Sequence, residues 1–332
     1  MIIRQLTEGL LTRRRFLQAT TGAAFAAMLE FSGCRRHGSS PLRIAFNTWL
    51  GYSAFYIAES KGFFAKRGIH VSTAVIDPLD QKNAALASGA LDGMGGTIDS
   101  AIVSAADQVA GKVVFMFDRS NGADGILASA AIKTVQDLRG KRVAVEEGFA
   151  GHLLLLYVLD QNGISANAVT LVPMSTDEAG AAFAAGKVEA AVTWEPYLTT
   201  AMTRPGAHVL ITTRNLDPIL ADTLYMSDRS IATRTSDVAA LVSALSEAND
   251  FWLANRNEGN QIAASDWNLP ISEVAKTMAG VYLYPSSEQK ALFSSIIPQL
   301  LRKSAVYWFR AGIVKADVSN NVLSDSQFVG GR

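Results

Sequence analysis

A chain of 332 residues, 49% of them hydrophobic and 18% charged, can bury one large α/β core or two lobes of ordinary domain size, and it lacks the composition of a disordered segment. Its formal net charge is zero, so there is no electrostatic ground for a nucleic-acid partner. With one cysteine, Cys34, disulfide frameworks, zinc fingers and cysteine-nucleophile chemistry lose their basis.

The first segment reads as an address. Thr12-Arg13-Arg14-Arg15-Phe16-Leu17-Gln18 resembles the twin-arginine export signal, and Ala19 to Leu29 supplies the mild apolar stretch that follows such a pair. That stretch is shorter than the roughly 20 apolar residues a transmembrane helix needs. Residues 1–33 are therefore set aside as a signal peptide, and 34–42, with Gly38-Ser39-Ser40-Pro41, as a tether. Phe31-Ser32-Gly33-Cys34 resembles the lipobox of bacterial lipoproteins, although Phe31 stands where Leu is usual and Glu30 lies in the apolar flank. The resemblance implies a lipid on Cys34 as a membrane attachment, and a periplasmic or extracytoplasmic location.

From Arg43 onward, short apolar runs alternate with helical stretches, the pattern of parallel strands joined by crossover helices. Strands are expected at 42–46, 70–76, 113–117, 142–146, 169–174, 189–194 and 208–213. Helices are expected near 53–67, 80–89, 150–162, 176–186, 236–256, 272–280 and 287–311. Residues 84–100, AALASGALDGMGGTIDS, align without gaps on 181–197, AAFAAGKVEAAVTWEPY. Upstream, Arg43-Ile44-Ala45-Phe46 answers Arg142-Val143-Ala144-Val145, and Gly68-Ile69 answers Gly163-Ile164. One βαβαβ unit is thus written twice, each helix closed by a glycine suited to a left-handed cap. The expected fold is α/β with two lobes around a ligand cleft. Lobe 1 comprises 43–120 and 225–332, lobe 2 comprises 121–224, and the crossings fall near 118–124 and 220–227. Ligands of open parallel sheets bind beyond the carboxyl ends of the strands, so the loops 47–52, 95–100, 147–152 and 194–197 should face the cleft.

The stretch Asn47 to Val71 resembles the opening of substrate-binding proteins of the nitrate, sulfonate and taurine importer family. The likeness is carried by Trp49-Leu50-Gly51-Tyr52, Tyr56-Ile57-Ala58, Lys61-Gly62-Phe63-Phe64 and Gly68-Ile69-His70-Val71. Further matches are Ser120-Asn121-Gly122-Ala123-Asp124, Asp137-Leu138-Arg139-Gly140-Lys141-Arg142-Val143 and Trp194-Glu195-Pro196-Tyr197. The resemblance covers about Arg43 to Tyr225 and implies a type 2 periplasmic-binding-protein fold, a small-molecule ligand, and a membrane permease and ATPase as partners of a monomeric protein.

Within this frame the ligand-binding candidates are Trp49, Gly51, Tyr52, Thr97, Ser100, Ser120, Asp124, Gly148, His152, Trp194 and Glu195. The helix after Glu147 to His152 offers free N–H groups and a positive dipole end to an anion, with Thr97 and Ser100 as hydroxyl donors. Trp49, Tyr52, Trp194 and Tyr197 can sandwich an apolar, planar or cationic body. Asp124 and Glu195 can pair with an amino group, which favours a zwitterion such as taurine or an amino-bearing heterocycle over nitrate. Packing or capping roles compete for Trp49, Trp194, Asp99 and Asp124, and a satisfied structural histidine competes for His152.

No catalytic residue, metal site or cofactor is expected. The four histidines are not paired at metal-ligand spacing, and neither a Gly-x-Ser-x-Gly elbow nor a P-loop occurs. Three functions remain: an importer's binding protein, an extracytoplasmic ligand sensor, and an enzyme. Within the aminopyrimidine class, a thiamine-precursor binding protein or a related pyrimidine-synthesising enzyme is the alternative, but the Cys-rich pattern of those enzymes is absent.

Overall fold

The structure, a computed structural model, describes residues 40–330. The first apolar runs form the parallel strands β1 (Leu42–Phe46), β2 (Val71–Val75) and β3 (Gly93–Thr97), ordered β2-β1-β3. Helices Ser53–Ser60 and Leu79–Ala87 lie on the two crossovers between them. β4 (Gly111–Ser120) then leads through a short turn into β5 (Asp124–Ala128), which belongs to a second sheet. There β6 (Arg142–Val145), β7 (Thr170–Pro173) and β8 (Ala190–Trp194) repeat the first arrangement as β7-β6-β8, with crossover helices Ala150–Gln161 and Thr176–Ala184. β9 (His208–Thr212) flanks β5 before the chain returns as β10 (Ala221–Ser227), and β11 (Val281–Leu283) completes the first sheet. The full orders are β11-β4-β10-β3-β1-β2 and β7-β6-β8-β5-β9.

Register carries the duplication down to single residues. Ile44 and Ala45 of β1 face Gly93 and Met94, and Val143 and Ala144 of β6 face Ala190 and Ala191. These are equivalent positions in the repeat aligned above. Gly89 (φ 74°) and Gly186 (φ 73°) close the corresponding helices in the left-handed conformation that residues with a Cβ disfavour.

Some expected elements divide or shift. The helix foreseen over 53–67 breaks at Gly62 (φ 70°) into Ser53–Ser60 and Phe63–Lys66. The one foreseen over 287–311 becomes Ser286–Ala291, a π-turn over Leu292–Ile296, and Ile297–Arg310. Pro298 stands in the first turn of the last piece, where its missing N–H costs nothing, and the wider turn before it absorbs the interruption. β5, β10 and β11 escaped the sequence reading, and β3 entered it only through the aligned repeat. β10 is buried on both faces and interrupted by Asp222 and Thr223, so it shows neither alternation nor an unbroken apolar run.

The long helix Thr235–Ala254 covers the six-stranded sheet, with Trp252 wholly buried. Helix Ile297–Arg310 reaches helix Ala150–Gln161 beside the five-stranded sheet. There the Tyr307 hydroxyl donates to Asp160 Oδ2 at 2.7 Å, and the Trp308 ring lies 5.5 Å from His152. Among the described residues no helix is long and apolar enough to cross a membrane.

Candidate functional site

The carboxyl ends of matching strands converge on one cleft. Asn47 and Trp49 follow β1, Thr97 ends β3, and Ser120 and Asp124 bracket the crossing from β4 to β5. From the second unit, Phe149 and Ala150 enter the helix after β6 and Trp194 ends β8; Leu220 and Asp222 lie on the returning segment. The innermost part is narrow, about 20 Å³. It shares Asn47, Phe149 and Trp194 with a wider compartment of about 310 Å³, also walled by Thr48, Asp77, Glu146, Thr176 and Tyr197. Trp194 packs on Phe149 with ring centroids 5.9 Å apart, forming an aromatic wall.

The inner floor sets two carboxylates among apolar and hydroxyl-bearing side chains. Neither Lys nor Arg is among the residues lining it, whereas Asp124 and Asp222 both are. Burial pushes the Asp124 carboxyl up to about 7 and that of Asp222 up to about 6. Behind them, burial and the neighbouring Asp222 hold Asp118 well above the usual carboxylate range. The Asn47 side-chain oxygen and the Thr97 hydroxyl are buried without a partner, which leaves them available to a solute. Lys82 is buried close by, with Nζ 3.3 Å from the Gly95 carbonyl, and burial lowers it to about 8.

The sequence candidates separate into three groups. Trp49, Thr97, Ser120, Asp124 and Trp194 line the inner cleft. Ser120 is partly committed, because its hydroxyl lies 2.7 Å from Thr213 Oγ1 and accepts from the Asp124 amide at 3.1 Å.

Gly51, Tyr52, Ser100, Gly148 and His152 stand behind the cleft wall. A Cβ on Gly51 would sit 1.9 Å from Asp118 Oδ2, so its role is to let that carboxyl approach. Tyr52 is fully buried, stacked on Phe46 at 5.2 Å, and donates its hydroxyl to Asp222 Oδ1 at 2.6 Å. Its ring is therefore unavailable to sandwich a solute. Ser100 spends its donor on the Thr97 carbonyl at 2.6 Å. The Gly148 amide donates to His152 Nδ1 at 3.2 Å, and the buried His152 ring turns to Trp308, its pKa lowered by burial. Of this helix start, Phe149 and Ala150 are the residues that reach the cleft.

Glu195 forms the third case. It accepts from the Thr199 amide at 3.2 Å and from its hydroxyl at 2.7 Å, the work of a helix cap. It borders an outer groove with Trp49, Trp194, Tyr197 and Trp267. Cys34 lies outside the described residues.

Asn47, Asp118 and Asp222 are the residues that sequence reasoning missed. A trace was present, since Asp118 and Asp222 each interrupt an otherwise apolar strand, the place where a buried carboxylate needs a reason.

Two sheets of duplicated topology with a cleft at their carboxyl ends define the two-lobed α/β architecture of periplasmic binding proteins. The periplasmic aliphatic sulphonate binding protein of Escherichia coli superposes with a TM-score of 0.73 at 23% identity, covering 86% of this chain and 98% of that one. Residues 49–258 match the NMT1/THI5 like family, and the chain belongs to that family. A Bacillus subtilis protein provisionally named an aliphatic sulfonates-binding protein is 25% identical over 317 residues, 92% of this chain and 93% of the relative. The same fold also carries a desulfurization enzyme, with a TM-score of 0.59 and 15% identity over 86% of this chain and 97% of that one.

Proposed function

We propose that this chain is an exported solute-binding protein that captures a small organic zwitterion or anion of the sulfonate and taurine class and delivers it to the permease and ATPase of an ABC importer. Capture proceeds by closure of the two lobes about the β4–β5 and β9–β10 crossings, which makes the closed form the one that binds from both sides. The names of the sulfonate-binding relatives support the class of solute. One observation carries the amine-bearing reading: the inner cleft offers Asp124, Asp222 and the Asn47 oxygen, with no Lys or Arg, beside the Trp49 and Trp194 rings. An ammonium group fits those acceptors, while an acidic end fits the amides at the start of helix Ala150–Gln161. The same acceptors suit an aminopyrimidine, whose planar ring would lie along the Phe149–Trp194 wall, and this is the second reading. The lipid on Cys34 and the twin-arginine route belong to this proposal as the means of placing the protein outside the cytoplasm. A ligand sensor would use the same cleft, and is told apart by whether deleting the gene abolishes solute uptake.

The experiment is a thermal-shift screen over alkanesulfonates, taurine, nitrate and aminopyrimidines. A true ligand at 100 times its Kd stabilises the protein by about 2.7 kcal/mol. Absence of a shift with every class refutes the assignment. Turnover of a bound compound would favour an enzyme instead.

A further inference from the structure

Asp222 and Asp118 are direct cross-strand partners on β10 and β4, respectively 5% and 0% exposed. Two like charges facing each other on neighbouring strands repel, and burial magnifies the cost. Protein donors do not compensate it. Trp49 Nε1–H lies 3.3 and 3.4 Å from the two Asp118 oxygens, and the Tyr52 hydroxyl lies 2.6 Å from one Asp222 oxygen, so two donors serve four carboxylate oxygens. The nearby ionisable groups add little relief. Asp99 after β3, Asp124 on β5 and the Tyr52 and Tyr284 phenols are acidic, and Arg119 is turned over the Tyr282 ring at 4.9 Å. Lys82, from helix Leu79–Ala87, is a nearby cation that favours the ionised form of Asp222, with its Nζ donating to the Gly95 carbonyl at 3.3 Å. The two acids are also unequal in position: Asp222 lines the cleft, while Asp118 is walled off behind Trp49 and Gly51.

We infer that Asp118 is a positioning residue that keeps its proton and donates it to Asp222, so that this pair of acids presents one negative charge to the cleft instead of two. This rests on the amine-bearing reading above and assigns its charge recognition to Asp222, with Asp118 setting the charge count. Their surroundings decide which acid keeps the proton: Asp222 accepts from the Tyr52 hydroxyl at 2.6 Å and borders the cleft, which favours its ionised form, while Asp118 is 0% exposed behind Trp49 and Gly51, which favours its protonated form. When a solute binds below the range in which Asp222 titrates, Asp222 releases its proton to solvent and the ammonium takes its place; Asp118 keeps its own.

The test uses the purified protein, taurine as the probe, and Asp118→Asn and Asp222→Asn variants. Asparagine at 118 preserves a neutral donor, so its affinity and pH profile should stay within about threefold of the parent. Asp222→Asn should weaken taurine about 100-fold or more, as removal of one partner of a buried charge pair does. The parent's affinity should fall by up to about tenfold per pH unit below about pH 6. A marked change in the pH profile of Asp118→Asn means that Asp118 was ionised in the parent, and overturns the inference. Carboxyl ¹³C NMR of the ligand-free protein reads the same proton directly: the Asp118 resonance should stay that of the acid at pH 7, and a carboxylate shift there overturns the inference without reference to any ligand. If taurine does not bind while Asp118 remains protonated, the amine-bearing reading fails and the proton assignment stands.

Discussion

Replacing Gly51 by Ala tests how tightly the floor of the cleft is built. The added Cβ would meet Asp118 Oδ2 at 1.9 Å and Trp49 Nε1 at 2.6 Å, distances that no relaxed structure tolerates. Gly51 has no left-handed backbone to preserve, so the effect is purely steric. Asp118 is wholly buried on β4 and cannot swing into solvent, hence either the carboxyl rotates away from the Trp49 indole or the turn Leu50–Tyr52 lifts. Overpacking of this kind costs about 1–3 kcal/mol, and loss of the Trp49 to Asp118 hydrogen bond places the change toward the upper end. Urea unfolding followed by tryptophan fluorescence should show a lower midpoint with an unchanged slope. A second background sharpens the result. In Asp118→Ala the nearest clashing atom is gone, so adding Gly51→Ala there should cost less than it does in the parent, a coupling measurable as a double-mutant cycle. Equal costs in both backgrounds would refute the proposed contact, and no cost in either would refute the tight floor altogether.

Other outcomes follow from the same geometry. Trp194→Ala removes the ring shared by the inner cleft and both outer compartments, and should weaken ligand at least about tenfold, from about 1.4 kcal/mol of aromatic contact, by calorimetric titration; retained affinity would place the solute elsewhere. Glu195→Gln should leave affinity unchanged and lower stability by about 1 kcal/mol at most, because the side chain caps Thr199; a large affinity loss would return Glu195 to ligand recognition. Stability should also depend on pH with an uncommon sign. Asp99, Asp124 and Asp222 have folded-state pKa values raised by burial, so their contribution is complete below the unfolded value near 4 and is lost as pH rises through about 6 to 7, and Asp118, held well above the usual carboxylate range, acts in the same direction. Buried His152, shifted downward, opposes this below about 6.5. Ligand-free denaturation midpoints should therefore be higher near pH 5.5 than near pH 8, and a steady rise over that interval would contradict the burial of the four carboxyls.

The sequence was most readable where the chain repeats. β1, β6, β7, β8 and β9 are apolar runs bounded by turn residues, and the glycine caps at 89 and 186 fix the repeat's register, so the two units and their cleft-facing loops could be drawn in advance. The same loop logic placed Trp49, Thr97, Asp124 and Trp194 at the cleft, and they line it. It failed for Asp118 and Asp222, because nothing local marks a carboxylate as facing another across a strand pair more than a hundred residues apart in the chain. His152 and Glu195 differ from their expected orientation for the opposite reason. Their loops were placed correctly, but short-range partners, Gly148 and Thr199, captured the side chains, and which way a side chain turns within a correctly placed loop is decided by packing.

The most direct test is a pair of calorimetric titrations at pH 7.5, one with taurine and one with ethanesulfonate, which differs only in lacking the amino group. A cleft floored by Asp124 and Asp222 should bind taurine and discriminate against ethanesulfonate by about 100-fold or more, since the acceptors would then be left unpaired. Equal or tighter binding of ethanesulfonate would contradict the acceptor-lined reading of the site.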